Sequence, residues 1–212
     1  LADISLKDEI ATSLKEDLDV KLKTFHTQVQ SLTGDPNFAP NPRSNKQLGE
    51  LFFSYLGLVG RGSSTGKDNR QRMLTNVKTT PEQAELLHTL NDYTSEYKFY
   101  STYATQRVDK DSRIRCEYKQ FGVQNAPGRL SSSGTLWGSG MNLQNQPHRA
   151  YPMFICDEGY MFSYFDLKQA EAKVVAYLWN VAGLIENFER AEKEDGFDVH
   201  RGNAARIYKC DY

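Results

Sequence analysis

From Ile10 to Leu32 apolar side chains return every third or fourth residue: Ile10, Leu14, Leu18, Leu22, Phe25, Val29 and Leu32. That spacing is one face of an α-helix, so residues 4–32 are expected to form a single long amphipathic helix, with Lys15, Glu16 and Lys23 on its other side. "GDPNFAPNP" (34–42) ends it, because glycine and three prolines cannot continue a helix. "SNKQLGELFFSYLGL" (44–58) starts another behind a cap at Ser44 or Asn45. A second long helix is expected over 79–108, with Thr80 as cap, Pro81 at the first helical position and Glu82 in the first turn. Its stripe of Leu86, Leu90, Tyr93, Tyr97 and Tyr100 reads as core.

After Asp109 the pattern shortens. "RIRCEYKQF", "PMFICD" and "YMFSYFD" are alternating and aromatic-rich, and Asp157-Glu158-Gly159 offers a turn between the last two. They predict the opening part of a small antiparallel sheet. Helical stretches at 168–190 and 198–209 follow, so the expected class is α+β.

Bulk properties exclude several roles. The chain has 212 residues, 39% hydrophobic, and a mean hydropathy of -0.64. No apolar run approaches the ~20 residues that span a bilayer, and no signal-peptide pattern opens the chain. Three scattered cysteines (Cys116, Cys156, Cys210) suit reduced thiols, so a cytoplasmic location is expected, the host's if the chain is phage-encoded. There is no CxxC or HExxH, which argues against structural zinc. Net charge is -1, but it is unevenly spread: Arg61, Lys67, Arg70, Arg72 and Lys78 cluster in one stretch, six acidic residues between 186 and 198 in another. Either run is a solvated face or a binding face. The basic stretch is not a P-loop, since Arg61 stands where glycine is needed and Asp68 where a hydroxyl is needed.

Two stretches carry chemistry. "GRLSSSGTLWGSGMNLQNQP" (128–147) reads as a flexible loop by composition, yet Arg129, Asn142, Gln144 and Asn145 are the donors that suit the DNA minor groove. Every base pair presents acceptors there, at purine N3 and pyrimidine O2. In "YMFSYFDLKQAEAKVVAYL" (160–178), strand-like alternation ends at Asp166 and helical spacing begins at Ala170, with Glu171 in the first helical turn. A carboxylate at a strand end is a common seat for a divalent metal. Read alone, Asp166 is more readily a helix cap.

Together, "GRLSS…NLQN-P" and "D-x-x-Q-x-E-x-[KR]-x-x-A-x-L" resemble the A-family, Klenow-type DNA polymerases of bacteria and phages. Their usual strings are TGRLSS, NLQNIP and D-Y-S-Q-I-E-L-R. The resemblance extends to "SNKQL" (44–48), similar to S-T-K-Q-L, to "YSTY" (100–103), similar to K-S-T-Y, and to "DVHRGNAARIY" (198–208), similar to D-I-H-x-x-T-A-A-x-x-F. The long segment between "SSS" and "NLQN" resembles phage forms.

The resemblance implies part of a polymerase "right hand": a thumb over 1–108, the first part of the palm over 109–178 and the start of the fingers over 179–212. It implies that Asp166 and the carbonyl of Leu167 hold magnesium, two ions serving the complete enzyme. Glu171 would be the gate that rejects a ribose 2′-hydroxyl, and Gln169 and His200 would lie near the incoming dNTP. Arg129, Asn142, Gln144 and Asn145 would contact primer-template DNA in the minor groove, and Lys67, Arg70 and Arg72 would grip its backbone. Lys173 stands where the family has arginine, and Gln146 where it has isoleucine. The fingers string R-x-x-x-K-x-x-x-F-G-x-x-Y-G, the H-D-E turn and an exonuclease D-x-E do not occur in these 212 residues. The expectation is a chain inactive alone that needs a C-terminal part, supplied by a second polypeptide. The competing expectations are a single-subunit RNA polymerase, and a non-catalytic DNA-binding or interaction protein that keeps a polymerase half-fold.

Overall fold

The structure, a computed structural model, describes residues 1–120, 130–165 and 167–210. It divides into two compact units, Leu1–Tyr160 and Met161–Tyr212.

The first unit is built on the two long helices. α1 (Ile4–Thr33) starts at Asp3, whose carboxylate accepts the Leu6 N–H at 3.0 Å, and stops at Gly34 in the left-handed region (φ 70°). α2 (Asn45–Gly49) is capped by Ser44 and runs into π-helical turns over Glu50–Tyr55. α3 (Lys67–Leu74) lies in the basic stretch. α4 (Pro81–Phe99) opens with a reciprocal Thr80–Gln83 capping box and continues as π-helical turns over Tyr100–Ala104. α1 packs along α4, and Phe25 and Val29 meet Leu48, Leu51, Phe52, Met73, Leu86, Leu87 and Leu90 in one buried cluster. Burying each of these large side chains contributes roughly 1.5–3 kcal/mol.

The sheet is smaller than expected and differently made. β1 (Glu117–Lys119) pairs antiparallel with β2 (Ser131–Ser133), Tyr118 opposite Ser132. The serine run read as loop is therefore a strand. "PMFICD" does not form one: residues His148–Met153 make a 3₁₀ turn containing Pro152, whose ring nitrogen cannot donate to a ladder. Only Phe154 is bridged, to Ala2, with the Asp3 N–H donating to the Met153 carbonyl at 2.9 Å. The turn at 157–159 does form, with Gly159 at φ 80° and Tyr160 N–H bonded to the Asp157 carbonyl at 3.1 Å. Its arms do not pair, and residues 161–165 are not a strand: alternation supplies side-chain pattern but no ladder partner.

The second unit holds α5 (Ala170–Leu178), α6 (Ala182–Lys193) and α7 (Val199–Tyr208) around Ala176, Phe188, Phe197 and Val199. The single helix expected over 168–190 is broken after Leu178. Asn180 takes a left-handed conformation (φ 48°), and the Val181 N–H turns back to the Ala176 carbonyl at 2.9 Å. The class is α+β, mostly helical, with one two-stranded antiparallel sheet among the described residues. No described helix is long and apolar enough to cross a membrane.

Candidate nucleic-acid interface

Asn142, Gln144 and Asn145 come together at one 3₁₀ turn, Leu143–Asn145. Asn142 caps it: its Oδ1 accepts the Gln144 N–H at 2.9 Å and the Ser132 hydroxyl at 2.7 Å. Gln144 Nε2 donates to the Leu130 carbonyl at 3.0 Å, which ties the turn to the start of β2. At the other end the Tyr103 hydroxyl donates to the Asn145 carbonyl at 2.9 Å. Gln146 Nε2 donates back to the Asn142 carbonyl at 2.6 Å, leaving its Oε1 buried without a partner. Asn142 is half-buried, while Gln144 and Asn145 are exposed. The turn is thus a fixed frame carrying two solvent-facing amides, and it can present donors and acceptors together.

Two further contacts hold the frame. The Gln106 amide donates to the Gly140 carbonyl. Gly140 sits at φ 77°, and a Cβ there would stand 2.0 Å from the Arg115 carbonyl oxygen. Below it, the Arg149 guanidinium grips both Glu96 carboxylate oxygens (3.0 and 2.7 Å) and lies 3.6 Å over the Phe99 ring. That hydrogen-bonded pairing pulls the Glu96 carboxyl below its usual pKa range. Ser132 and Tyr103 were not singled out as functional from sequence. Ser132 hides in a serine run, and Tyr103 closes "YSTY", a string visible without its role.

The basic residues of α3 separate by exposure. Lys67 and Arg72 are exposed. Arg70 is 7% exposed, and its guanidinium serves the fold: Nε donates to Asn91 Oδ1 at 2.7 Å, Nη1 to the Thr65 carbonyl at 3.1 Å and Nη2 to Thr94 Oγ1 at 3.2 Å. Burial lowers its pKa from the ordinary arginine value. Arg70, expected to grip a DNA backbone beside Lys67 and Arg72, thus differs from them in being buried and bonded within the fold.

In the second unit Leu167 is exposed, and its carbonyl accepts the Ala170 N–H at a long 3.4 Å. Gln169, half-buried, holds the left-handed position (φ 57°) before α5. Glu171 lies exposed in the first turn of α5, where the helix dipole favours a carboxylate. Lys173 crosses to Glu192 at 2.9 Å, joining α5 to α6. His200 is exposed in the first turn of α7, behind the Asp198 cap. The expected metal ligand Asp166 and groove contact Arg129 lie outside the described residues. Among the described residues no three His, Cys, Asp or Glu side chains cluster as a metal site.

The family model for DNA polymerase family A matches residues 8–212, almost the whole chain. The chain belongs to DNA polymerase family A. Family A relatives include the DNA polymerase of Escherichia phage T5, 32% identical over 199 residues, an alignment covering 89% of this chain and 22% of that protein. DNA polymerase I of Pseudomonas aeruginosa is 29% identical, over 91% of this chain and 20% of its own length. The thermostable DNA polymerase I of Thermus aquaticus is 28% identical, over 89% and 22%. The chain spans about a fifth of the length of these relatives.

Proposed function

We propose that this chain is a duplex-gripping and partly catalytic portion of a template-directed DNA polymerase. The observation that carries the reading is the family A match over residues 8–212, in a chain whose Asn142, Gln144 and Asn145 form one braced, partly exposed turn. In this reading residues 1–108 are the thumb, 109–178 the first part of the palm and 179–212 the start of the fingers. Gln144, Asn145 and Arg129 contact the minor groove of the primer-template, where a correct pair of any sequence offers acceptors. Lys67 and Arg72 neutralise backbone phosphates.

Asp166 and the Leu167 carbonyl are hard oxygen donors one residue apart, a donor set that fits magnesium. The long bond from Ala170 leaves the Leu167 oxygen a second lone pair. Bound magnesium would supply Lewis-acid chemistry to a phosphoryl transfer. Glu171 discriminates sugars by occupying the space of a 2′-hydroxyl, which would be buried there without a partner. Gln169 and His200 line the dNTP side of the same unit.

Two oxygens from neighbouring residues do not complete a metal site, so these 212 residues alone do not extend a primer. Extension requires the remaining family A sequence, in the same or a second polypeptide. The test is primer extension with magnesium and dNTPs, by this chain alone and with the missing motifs supplied. Extension is expected only in the second case and is abolished by Asp166→Ala, while duplex binding persists. Robust extension by the 212 residues alone, or full activity of the Asp166→Ala enzyme, refutes the catalytic assignment. Duplex binding with no extension under any supplement selects the non-catalytic reading.

A further inference from the structure

The 3₁₀ turn that carries Gln144 and Asn145 is braced by a residue far from it in sequence. Tyr103 lies in the π-helical turns that continue α4, and its ring is tilted against Phe99 at 5.4 Å, packed on the cluster of Phe99, Ala150 and Met153. Its hydroxyl reaches the Asn145 carbonyl, the open acceptor at the end of the turn. The opposite end is held by Ser132 of β2 and by the Leu130 carbonyl just before it. The turn therefore has two anchors, one on the sheet and one on the end of the long helix. Only the Tyr103 anchor can be removed by deleting a single oxygen while the packing ring stays.

We infer that Tyr103 is a positioning residue for duplex recognition: its hydrogen bond to the Asn145 carbonyl sets where the Gln144 and Asn145 amides meet the minor groove. The inference rests on the groove-reading role proposed above. A 3₁₀ turn is a strained, short element, and its last carbonyl has no intrahelical donor. Without the phenol the Asn145 end of the turn loses its direct anchor, and amides that must meet acceptors within a few tenths of an ångström lose their register. Gln106, just beyond the π-helical turns, also donates to the Gly140 carbonyl before the turn, and Glu96 of α4 pairs with Arg149 after it.

The experiment measures binding of the full 212-residue chain to a primer-template hairpin by fluorescence anisotropy. Two hairpins are compared, one natural and one in which the terminal purines are 3-deaza analogues that lack the groove acceptor. For the unaltered chain the natural hairpin is expected to bind roughly three- to tenfold more tightly, the range of one or two hydrogen bonds. Tyr103→Phe should bring that ratio close to one. Its dependence on salt should stay unchanged, since salt dependence counts phosphate contacts. Asn145→Ala should shrink the ratio too, and adding Tyr103→Phe to it should have little further effect. A Tyr103→Phe chain that keeps the full ratio overturns the positioning role and leaves the groove reading standing. An unaltered chain with no preference between the hairpins overturns both. Equal weakening on both hairpins marks a purely structural hydroxyl and also overturns the inference.

Discussion

Arg70 provides the sharpest test of which basic residues serve the fold and which are offered to a ligand. Arg70→Met keeps the aliphatic stem and removes three donors, leaving Asn91 Oδ1, the Thr65 carbonyl and Thr94 Oγ1. The Thr65 bond is buried, and the other two are part-buried, within reach of entering water. A stranded buried acceptor costs about 1–3 kcal/mol, and each part-buried charge-assisted bond contributes roughly half as much as a buried one. The sum is about 4 kcal/mol, or a loss of protection on the order of 1,000-fold where exchange requires opening of the whole unit. The amides of α4 around Leu86, Leu87 and Leu90 are the place to read it, because those side chains are fully buried. Arg72→Ala, at an exposed position of the same helix, should change protection by less than about 0.5 kcal/mol. In duplex binding the order reverses: Arg72→Ala and Lys67→Ala each lower the slope of log K against log salt by about 0.9, and Arg70→Met leaves it unchanged. The reasoning fails if Arg70→Met alters protection less than about threefold, or if it lowers the salt slope as Arg72→Ala does.

Two other perturbations have definite expected outcomes. Asp111 is gripped by Arg115 (2.5 and 3.0 Å), which pulls its carboxyl down to about 2 from 3.8. A depressed carboxyl contributes stability above its unfolded value and loses it as pH falls through the folded value, so the 109–115 loop should hold at pH 4 and open toward pH 2. The Met141 amide, bonded to the Arg115 carbonyl, should titrate by NMR near 2, and a midpoint near 3.8 would remove the pairing argument. Gly140→Ala combines a left-handed backbone with a Cβ clash on backbone, and should cost more than about 2 kcal/mol in urea denaturation. Gly138→Ala, at φ 72° but facing open space, should cost about 1 kcal/mol, and equal losses at both sites would discount the Arg115 contact.

How far these features could be read in advance follows from sequence separation. α1 and the Thr80 start of α4 were legible because helix periodicity and a capping box are complete within a few residues. The sheet was not, because Ser131–Ser133 carries no strand composition and becomes a strand only through Glu117–Lys119. Residues 161–165 failed in the opposite sense, having the pattern of a strand and no partner in the described residues. Arg70 could not be told from Arg72 by charge, though it lies three residues before the buried Met73 and so shares its inward face. The site divides in the same way. Asn142, Gln144 and Asn145 were legible as a set because they are adjacent, and the structure gathers them in one turn. What holds that turn, Ser132 and Tyr103, lies 10 residues from Asn142 and 42 from Asn145, and no local pattern encodes a bond across such gaps. A family string can preserve such a residue without disclosing its task. For Tyr103 the task follows only from the acceptor that its hydroxyl meets.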